Sequence, residues 1–226
     1  MMFVNAQTLS TLKLAYMLVL LQQFCIICIT EVNNQQQIFN DVPTDRCQVF
    51  FDPLTPRLGM ICNHSVKIEY KGIGVQLQDP GRIQNDKTVI QSNLYRVTLE
   101  NNLILEFENT YMVPDITSPD LELARQHYEK QSLKQFSYIA GGDFNINWKQ
   151  PSKKSKFSIT TLQQNVSGLT RIATYTRNNQ TRTSKSLIDL IFTNITASPK
   201  IKQCTVFKTP NDSNSGLTFD HHAVTI

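Results

Sequence analysis

The sequence predicts an α/β fold built on two packed β-sheets. Three observations lead there: short β-rich runs fill the first half, further strands close the second half, and helical periodicity appears between them. No internal repeat or low-complexity linker interrupts the 226 residues, so a single domain over 1–226 is expected. Hydrophobic residues at 40% and charged residues at 18% describe an ordinary globular chain. They exclude a collagen, a disordered acidic tail and a disulfide-dense mini-protein.

Taken in order, residues 2–4 read as a strand. Residues 9–23 read as a helix, with Leu12, Ala15, Tyr16, Val19 and Leu20 on one face, and 25–30 as a buried strand. The apolar stretch 12–29, carrying Lys13, also has features of a signal peptide or membrane anchor. Gln22 and Gln23 interrupt it, no small-residue cleavage site follows, and it falls short of the ~20 continuous apolar residues a spanning helix needs. No membrane association is expected.

Strand runs follow at 48–51, 58–62, 66–70, 73–77, 95–99 and 103–107. Turns are marked by Asp52-Pro53, Asp79-Pro80-Gly81 and Asn101-Asn102. A helix from 118 or 119 to about 134 has Pro119 at its first turn and an apolar face of Leu121, Ala124, Tyr128 and Leu133. A strand at 136–140 runs into Gly141-Gly142-Asp143. A Lys-rich loop (149–156), a short helix near 158–165, and strands at 187–193, 201–208 and 223–226 complete the chain.

Five scattered cysteines (Cys25, Cys28, Cys47, Cys62, Cys204) do not form a disulfide framework. Cys25 and Cys28 make a CxxC, but no second pair completes a zinc tetrahedron, and they lie in the apolar run FCIICIT. They read as reduced thiols of an intracellular protein. Five N-x-S/T sequons, at Asn63, Asn165, Asn179, Asn194 and Asn211, weigh little in a chain so rich in Asn, Ser and Thr.

The charge is lopsided. Between positions 149 and 208 there are eleven Lys or Arg and one acid, Asp189, whereas residues 1–148 hold eleven bases and fifteen acids. Such a basic region fits a polyanionic partner, and equally a solvated Lys-rich surface.

Asn5, Glu31, Asp143 with Asn145, and Asp189 sit where strands meet loops, and Asp220-His221 precedes the last strand. Ends of neighbouring strands converge on one rim of a sheet. Carboxylates gathered there repel one another and call for a cation, and oxygen ligands select Mg²⁺ or Mn²⁺ over zinc. One His beside several Asp supplies a general acid or base, or a charge partner for a phosphoryl group.

The ordered blocks VNAQTL (4–9), IICITE (26–31), NTYMVPD (109–115), GGDFNINW (141–148), SLIDLIFTN (186–194) and DHHAV (220–224) resemble the endonuclease/exonuclease/phosphatase superfamily. The nearest branch is the apurinic-type endonuclease domain of non-LTR, LINE-like retrotransposons. The resemblance runs from Asn5 to Val224. It implies a four-layer α/β/β/α sandwich and an Mg²⁺-dependent endonuclease that nicks duplex DNA and leaves a 3′-hydroxyl.

Residue by residue, the resemblance implies Glu31 as principal metal ligand, with Asn5 beside it and Asp220 completing the acidic cluster. Tyr111 would hydrogen-bond the scissile phosphate, Asp143 would position or deprotonate the attacking water, and Asn145 would hold phosphate and nucleophile. Asp189 would orient His221, which contacts a phosphate oxygen. Thr176 matches a Thr that this branch places beside DNA. His222 has no counterpart role and reads as a neighbour pointing away. Independently of the resemblance, Lys149, Lys153, Lys154 and Lys156 after the GDFN loop, and Arg171, Arg177, Arg182 and Lys185 before SLID, are placed to neutralise DNA phosphates. Trp148 and Phe144 read as packing residues.

Two positions depart from the pattern. Phe219 stands where the family has Ser, and the lost hydroxyl is expected to weaken cleavage. Glu31 is followed by Val32-Asn33-Asn34 rather than an aromatic. The chain ends at its last strand without a reverse-transcriptase domain, which fits an excised fragment, a relic or a stand-alone nuclease partnered by a separate reverse transcriptase. A monomer acting on DNA in the nucleus is the expectation. The competing readings are another phosphoesterase on this fold (RNA, inositol phosphate or phospholipid) and a catalytically dead nucleic-acid-binding relic.

Overall fold

The computed structural model describes residues 1–33, 36–79, 88–98, 103–150, 152, 157–166, 168–177, 180–212, 214–215 and 217–226. In chain order the elements are β1 (Met2–Asn5), α1 (Thr11–Leu20), β2 (Ile26–Thr30), β3 (Gln48–Phe50), β4 (Leu58–Cys62), β5 (Ile68–Gln78), β6 (Thr88–Thr98), β7 (Ile104–Met112) and α2 (Ser118–Ser132). They continue with β8 (Ser137–Asp143), β9 (Leu162–Gln164), β10 (Arg171–Arg177), β11 (Gln180–Ser186), β12 (Asp189–Asn194), β13 (Thr205–Phe207), β14 (Asn211–Asp212), β15 (Leu217–Thr218) and β16 (Ala223–Thr225).

Two mixed six-stranded sheets carry the fold. The first has the order β13-β16-β1-β2-β4-β3 and the second β5-β6-β7-β8-β12-β9. Each contains one parallel pair, β1 with β2 and β7 with β8, among antiparallel neighbours. The period-2 alternation of strands decides which residues meet. Met2, Val4, Ile27, Ile29 and Ile61 face outward and pack under α1 with Leu14 and Met17. Phe3, Cys28, Met60 and Cys62 face inward to the second sheet. Helix α2, capped by Thr117 with Pro119 in its first turn, lays Leu121, Ala124 and Tyr128 on the opposite side. The expected α/β/β/α layering results.

Several local expectations are corrected. The helix near 158–165 is absent; Phe157 and Ile159 enter the core and β9 pairs with β12 instead. No strand is expected between 166 and 186, yet β10 and β11 pair there in a hairpin. The runs 66–70 and 73–77 form one strand, β5, whose register shifts at Gly72 (φ +106°). Strand β6 starts well before 95 because its polar run is satisfied by partners: Gln91 accepts from the Arg57 backbone, Asn93 from Thr55, and Ser92 from Val75. The strand at 201–208 shortens to β13. Pro80, Gly81, Asn101 and Asn102 of the expected turns lie outside the described residues.

All five cysteines are free thiols; Cys28 and Cys62 are buried, and burial pushes the Cys62 thiol up to about 12. No helix among the described residues is long and apolar enough to cross a membrane.

Candidate active site

The ends of both sheets meet at one rim. Asn5, Met112 and Asp143 are the last residues of their strands. Antiparallel pairing of β12 with β8, and of β16 with β1, brings the first residues of β12 and β16 to the same place. The Gly-Gly before Asp143 has a steric reason. A Cβ on Gly141 would lie 2.5 Å from the Phe3 ring, and one on Gly142 (φ +135°) would run into the Thr110 carbonyl. Phe3 therefore packs on Gly141, and two residues further along each strand Asn5 Nδ2 donates to Asp143 Oδ2 at 2.8 Å.

Asp143 is 1% exposed and fully engaged. Asn145 donates to it twice, from its backbone N–H to Oδ1 (2.9 Å) and from its side-chain amide to Oδ2 (3.1 Å). The same amide donates to the Met112 carbonyl at 2.7 Å, and the turn that allows this holds Asn145 at φ +50°. Tyr111, Asp143 and Asp189 are cross-strand partners in one row over β7, β8 and β12. His221 extends the row: its Nδ1–H donates to Asp189 Oδ2 at 2.7 Å, and its Nε2 stands 3.7 Å from Asp220 Oδ1. Arg171 Nη2 approaches the other Asp220 oxygen at 3.7 Å.

Burial and mutual charge set the electrostatics. Asp143 has its carboxyl pushed well up, first by burial, then by the Asp189 and Glu31 carboxylates. Burial of His221 opposes its proton, but the Asp189 carboxylate outweighs it and raises the imidazole to about 10. Ligand atoms of Asp143, Asp189 and His221, all buried, lie within 4.8 Å of one another. Asp220 Oδ1 is buried with no hydrogen-bond partner. An acidic group that repels itself, with an orphaned carboxylate oxygen at its edge, fits a hard divalent cation bound through oxygen.

The surrounding loops are strained in one place. The five non-glycine residues with left-handed backbone among the described residues are Gln7, Thr8, Glu31, Asn33 and Asn145, all at this rim. Lys13 holds the first of these loops by donating to the carbonyls of Ala6 (2.5 Å), Thr8 (3.3 Å) and Gln7 (3.5 Å). Thr8 N–H donates to the Glu31 carbonyl at 2.8 Å, tying the Asn5 and Glu31 loops together.

Of the residues singled out from sequence, Asn5, Tyr111, Asp143, Asn145, Asp189, Asp220 and His221 converge here. Glu31, half-buried, lies close enough to Asp143 to raise its carboxyl, though outside the tight three-residue group. His222 donates its backbone N–H to the Thr170 carbonyl at 2.6 Å, and its Nδ1 lies 3.5 Å from Thr209 Oγ1. Phe219 does not occupy the site in place of a hydroxyl: it is 2% exposed, beneath the Lys13 ammonium (5.2 Å to the ring centroid) and against Tyr16. Phe144 and Trp148 pack on Phe192, as expected of core residues.

The hairpin β10–β11 carries Thr176 opposite Thr181, Arg182 opposite Tyr175, and Arg177 at its tip. Its base is joined to the site by a bridge between Arg171 and His221. Lys149 and Lys185 are exposed, while Lys153, Lys154 and Lys156 and the side chains of Thr176, Arg177 and Arg182 lie outside the described residues.

Sequence reasoning missed three supports. Thr170 Oγ1 accepts from the Ile188 and Asp189 backbones, at 3.2 Å each, and so sets the start of β12. Lys13 entered only as the lone charge of an apolar stretch, and Arg57 not at all. No local pattern marks any of them, because each acts on a distant loop.

Solved structures share this architecture over the whole chain. An endonuclease/exonuclease/phosphatase family protein from Leptotrichia buccalis superposes with a TM-score of 0.61 at 15% identity, covering 99% of this chain and 96% of that one. The fold is that of the endonuclease/exonuclease/phosphatase proteins. A mannosyl-6-phosphatase from Bacteroides thetaiotaomicron gives 0.62 at 14% identity, covering 99% and 96%. D. rerio TDP2, in complex with a single-stranded DNA product, gives 0.63 at 12% identity, again covering 99% and 96%. No family model matches the chain, and no curated protein matches its sequence. This fold therefore hosts both a sugar phosphatase and a protein bound to a DNA product, and the fold alone does not name a substrate.

Proposed function

We propose that the chain is a divalent-metal-dependent phosphodiesterase that nicks duplex DNA, as the endonuclease of a LINE-like retrotransposon does at its target. The observation that carries this reading is the row of Tyr111, Asp143, Asp189 and His221, with Asn5 and Asn145 both donating to Asp143. Glu31 and Asp220, with Asp143, would hold Mg²⁺ or Mn²⁺. Bound there, the ion supplies positive charge beside the phosphate.

The chain's own residues have separate tasks. Asp143, fixed by three amide donors, accepts the proton of the water that attacks phosphorus. The bond from phosphorus to the 3′ oxygen breaks, and the leaving 3′ oxygen takes a proton from solvent to become the 3′-hydroxyl. His221, held charged by Asp189, donates from Nε2 to a non-bridging phosphate oxygen as negative charge gathers there. Tyr111 donates to a second phosphate oxygen. Asn145 keeps Asp143 aimed and closes the site against the Met112 carbonyl. Lys149, Lys153, Arg177, Arg182, Lys185 and Thr176 would meet the duplex backbone, the hairpin bridging from His221 out to the DNA. A reverse transcriptase, on a separate chain or another segment, would use the 3′-hydroxyl, and a monomer in the nucleus suffices for the nick.

Incubation with supercoiled plasmid and Mg²⁺ tests the reading. Conversion to open circles is expected, with EDTA, D143A and H221A each abolishing it. Absence of nicking, or equal nicking by the variants, removes the proposal. Turnover of a sugar or inositol phosphate in preference to DNA would move the substrate while keeping the residue roles.

A further inference from the structure

Two arginines flank the row of Tyr111, Asp143, Asp189 and His221. Arg57, at the Tyr111 end, is engaged: its guanidinium stacks over the Tyr111 ring, with Cζ 4.7 Å from the centroid, and Nη1 donates to Tyr111 Oη at 3.1 Å. Arg171, at the His221 end, is left open. Its Nε is buried with no hydrogen-bond partner among the described residues, and its Nη2 stops 3.7 Å from Asp220 Oδ2, beyond hydrogen-bond reach. Asp220 is in the same condition. Its Oδ1 is buried, likewise without a hydrogen-bond partner among the described residues, 3.7 Å from His221 Nε2. A buried donor and a buried acceptor therefore stand close together without satisfying each other, and the desolvation of each goes uncompensated.

The backbone fixes where Arg171 stands. On one edge it pairs with Ser186 in the hairpin, and on the other with His221 across an isolated bridge. The Thr170 N–H donates to the Ser186 carbonyl at 3.1 Å, and the Thr170 carbonyl accepts from the His222 N–H at 2.6 Å. Antiparallel partners project to the same face, so the side chains of Arg171 and His221 rise together beside Asp220. The Arg171 side chain is 31% exposed and that of Asp220 23%, so a ligand can reach them from solvent.

We infer that Arg171 binds the reacting phosphoryl group directly, as a second cationic donor next to His221. A phosphate oxygen is the kind of acceptor that Nε lacks. His221 gives its Nδ1–H to Asp189, which leaves Nε2 as its donor toward a ligand on the same face. A guanidinium holds Nε–H and an Nη–H in one plane, a fork that matches two oxygens of one phosphate. With the anion on this fork, the Asp220 oxygens stay with the cation assigned to them above. The contact differs from those of Lys149 and Lys185, which are exposed and meet only the outer duplex backbone.

This inference rests on the phosphate-binding reading of the site, and its test separates the two. Inorganic phosphate in the presence of Mg²⁺, and Mg²⁺ alone, are titrated calorimetrically against wild type, R171Q and R171K, alongside plasmid nicking. R171Q is expected to weaken phosphate binding about tenfold, the size of one charge-assisted hydrogen bond, while binding Mg²⁺ no more weakly than wild type. R171K keeps the charge but has no nitrogen where Nε stands, so it should recover only part of the loss. The nicking rate should fall in the same order. Unchanged phosphate binding by R171Q, wild-type binding by R171K, or an equal loss of Mg²⁺ binding overturns the proposal. A melting temperature lowered equally with and without phosphate makes Arg171 a structural residue and overturns it too. In any of these cases nicking that persists leaves the nuclease reading standing. Phosphate binding that follows the expected order without any plasmid nicking supports Arg171 while removing the nuclease reading. If R171Q does not fold, R171K decides alone: weaker phosphate binding with undiminished Mg²⁺ binding supports the proposal, and wild-type phosphate binding overturns it.

Discussion

Two of the carboxylates buried in the second sheet, Glu108 and Asp143, lie on opposite faces and are treated in opposite ways. Glu108, on β7 under α2, is fully buried and meets donors only: Tyr138 Oη at 2.6 Å, His127 Nε2 at 2.9 and 3.1 Å, and Ser92 Oγ. Burial alone would raise its carboxyl, yet the His127, Ser92 and Tyr138 hydrogen bonds bring it below the usual range. Asp143, on β8, is as deeply buried and also accepts three hydrogen bonds, but its neighbours include Asp189 and Glu31, and its carboxyl is pushed well up. Burial is the same, so the company each acid keeps decides its charge. A carboxylate surrounded by donors is a finished structural joint. One surrounded by further acids is incomplete until a cation arrives, and such sites are where chemistry is found.

The largest expected effect is on the rim. D143N should lower the nicking rate by about 10²–10⁴-fold, the usual range for a lost general base, while shifting the melting temperature little. A D143N protein that still nicks at the wild-type rate would break the contrast at its functional end. Next comes E108A, which leaves His127, Ser92 and Tyr138 facing a void. A loss of about 3–5 kcal/mol is expected, as when one partner of a buried pair is removed, read as a melting point lower by roughly 10 °C. If E108A melted like wild type, Glu108 would not be the joint described.

Added Mg²⁺ sharpens the comparison further. At a hundredfold excess over its Kd, a ligand specific for the folded state stabilises by about 2.7 kcal/mol. The rise in melting temperature should appear in wild type and in conservative Glu108 variants, and vanish when Asp143 and Glu31 are both made amides. A rise that survives the double variant would place the ion elsewhere.

The smallest effect is on the pH profile of stability. His221 binds its proton more tightly folded than unfolded, with a folded value of about 10 against 6.5. Its contribution is therefore complete below pH 6.5 and fades as pH rises towards 10. Glu108, lowered in the folded state, contributes above its ordinary value of 4.5 and loses that contribution on acidification. The melting-point gap between wild type and H221Q should narrow on the alkaline side, and that between wild type and E108Q on the acid side. Gaps independent of pH would show that neither group titrates through its partner.

Much of the rim was legible in one dimension. Asn5, Asp143, Asn145, Asp189 and His221 each stand at the end of an apolar run, and strand ends in parallel or alternating sheets collect at one edge. Residues flagged as Gly-Gly-Asp proved to be spaced for Phe3 and the Thr110 carbonyl. Other features were hidden. Gln91, Ser92 and Asn93 fall in none of the expected strands because nothing nearby in the chain reveals Arg57, Thr55 and Val75, their partners from other elements. Phe219 read from sequence only as a missing hydroxyl, and nothing in the chain nearby shows that its ring packs under Lys13 and against Tyr16.

Local composition by itself determined the alternating strands, the two capped helices and the identity of the polar groups at their ends, since these depend on neighbours within a few residues. Only the tertiary structure decided the electrostatic state of each acid, the strained loops that hold Glu31 and Asn145, and the reach of Arg57 to Tyr111. Charge and hydrogen bonding act through space over a few ångströms, and residues 57 and 111, or 143 and 221, become neighbours only when the two sheets close on each other.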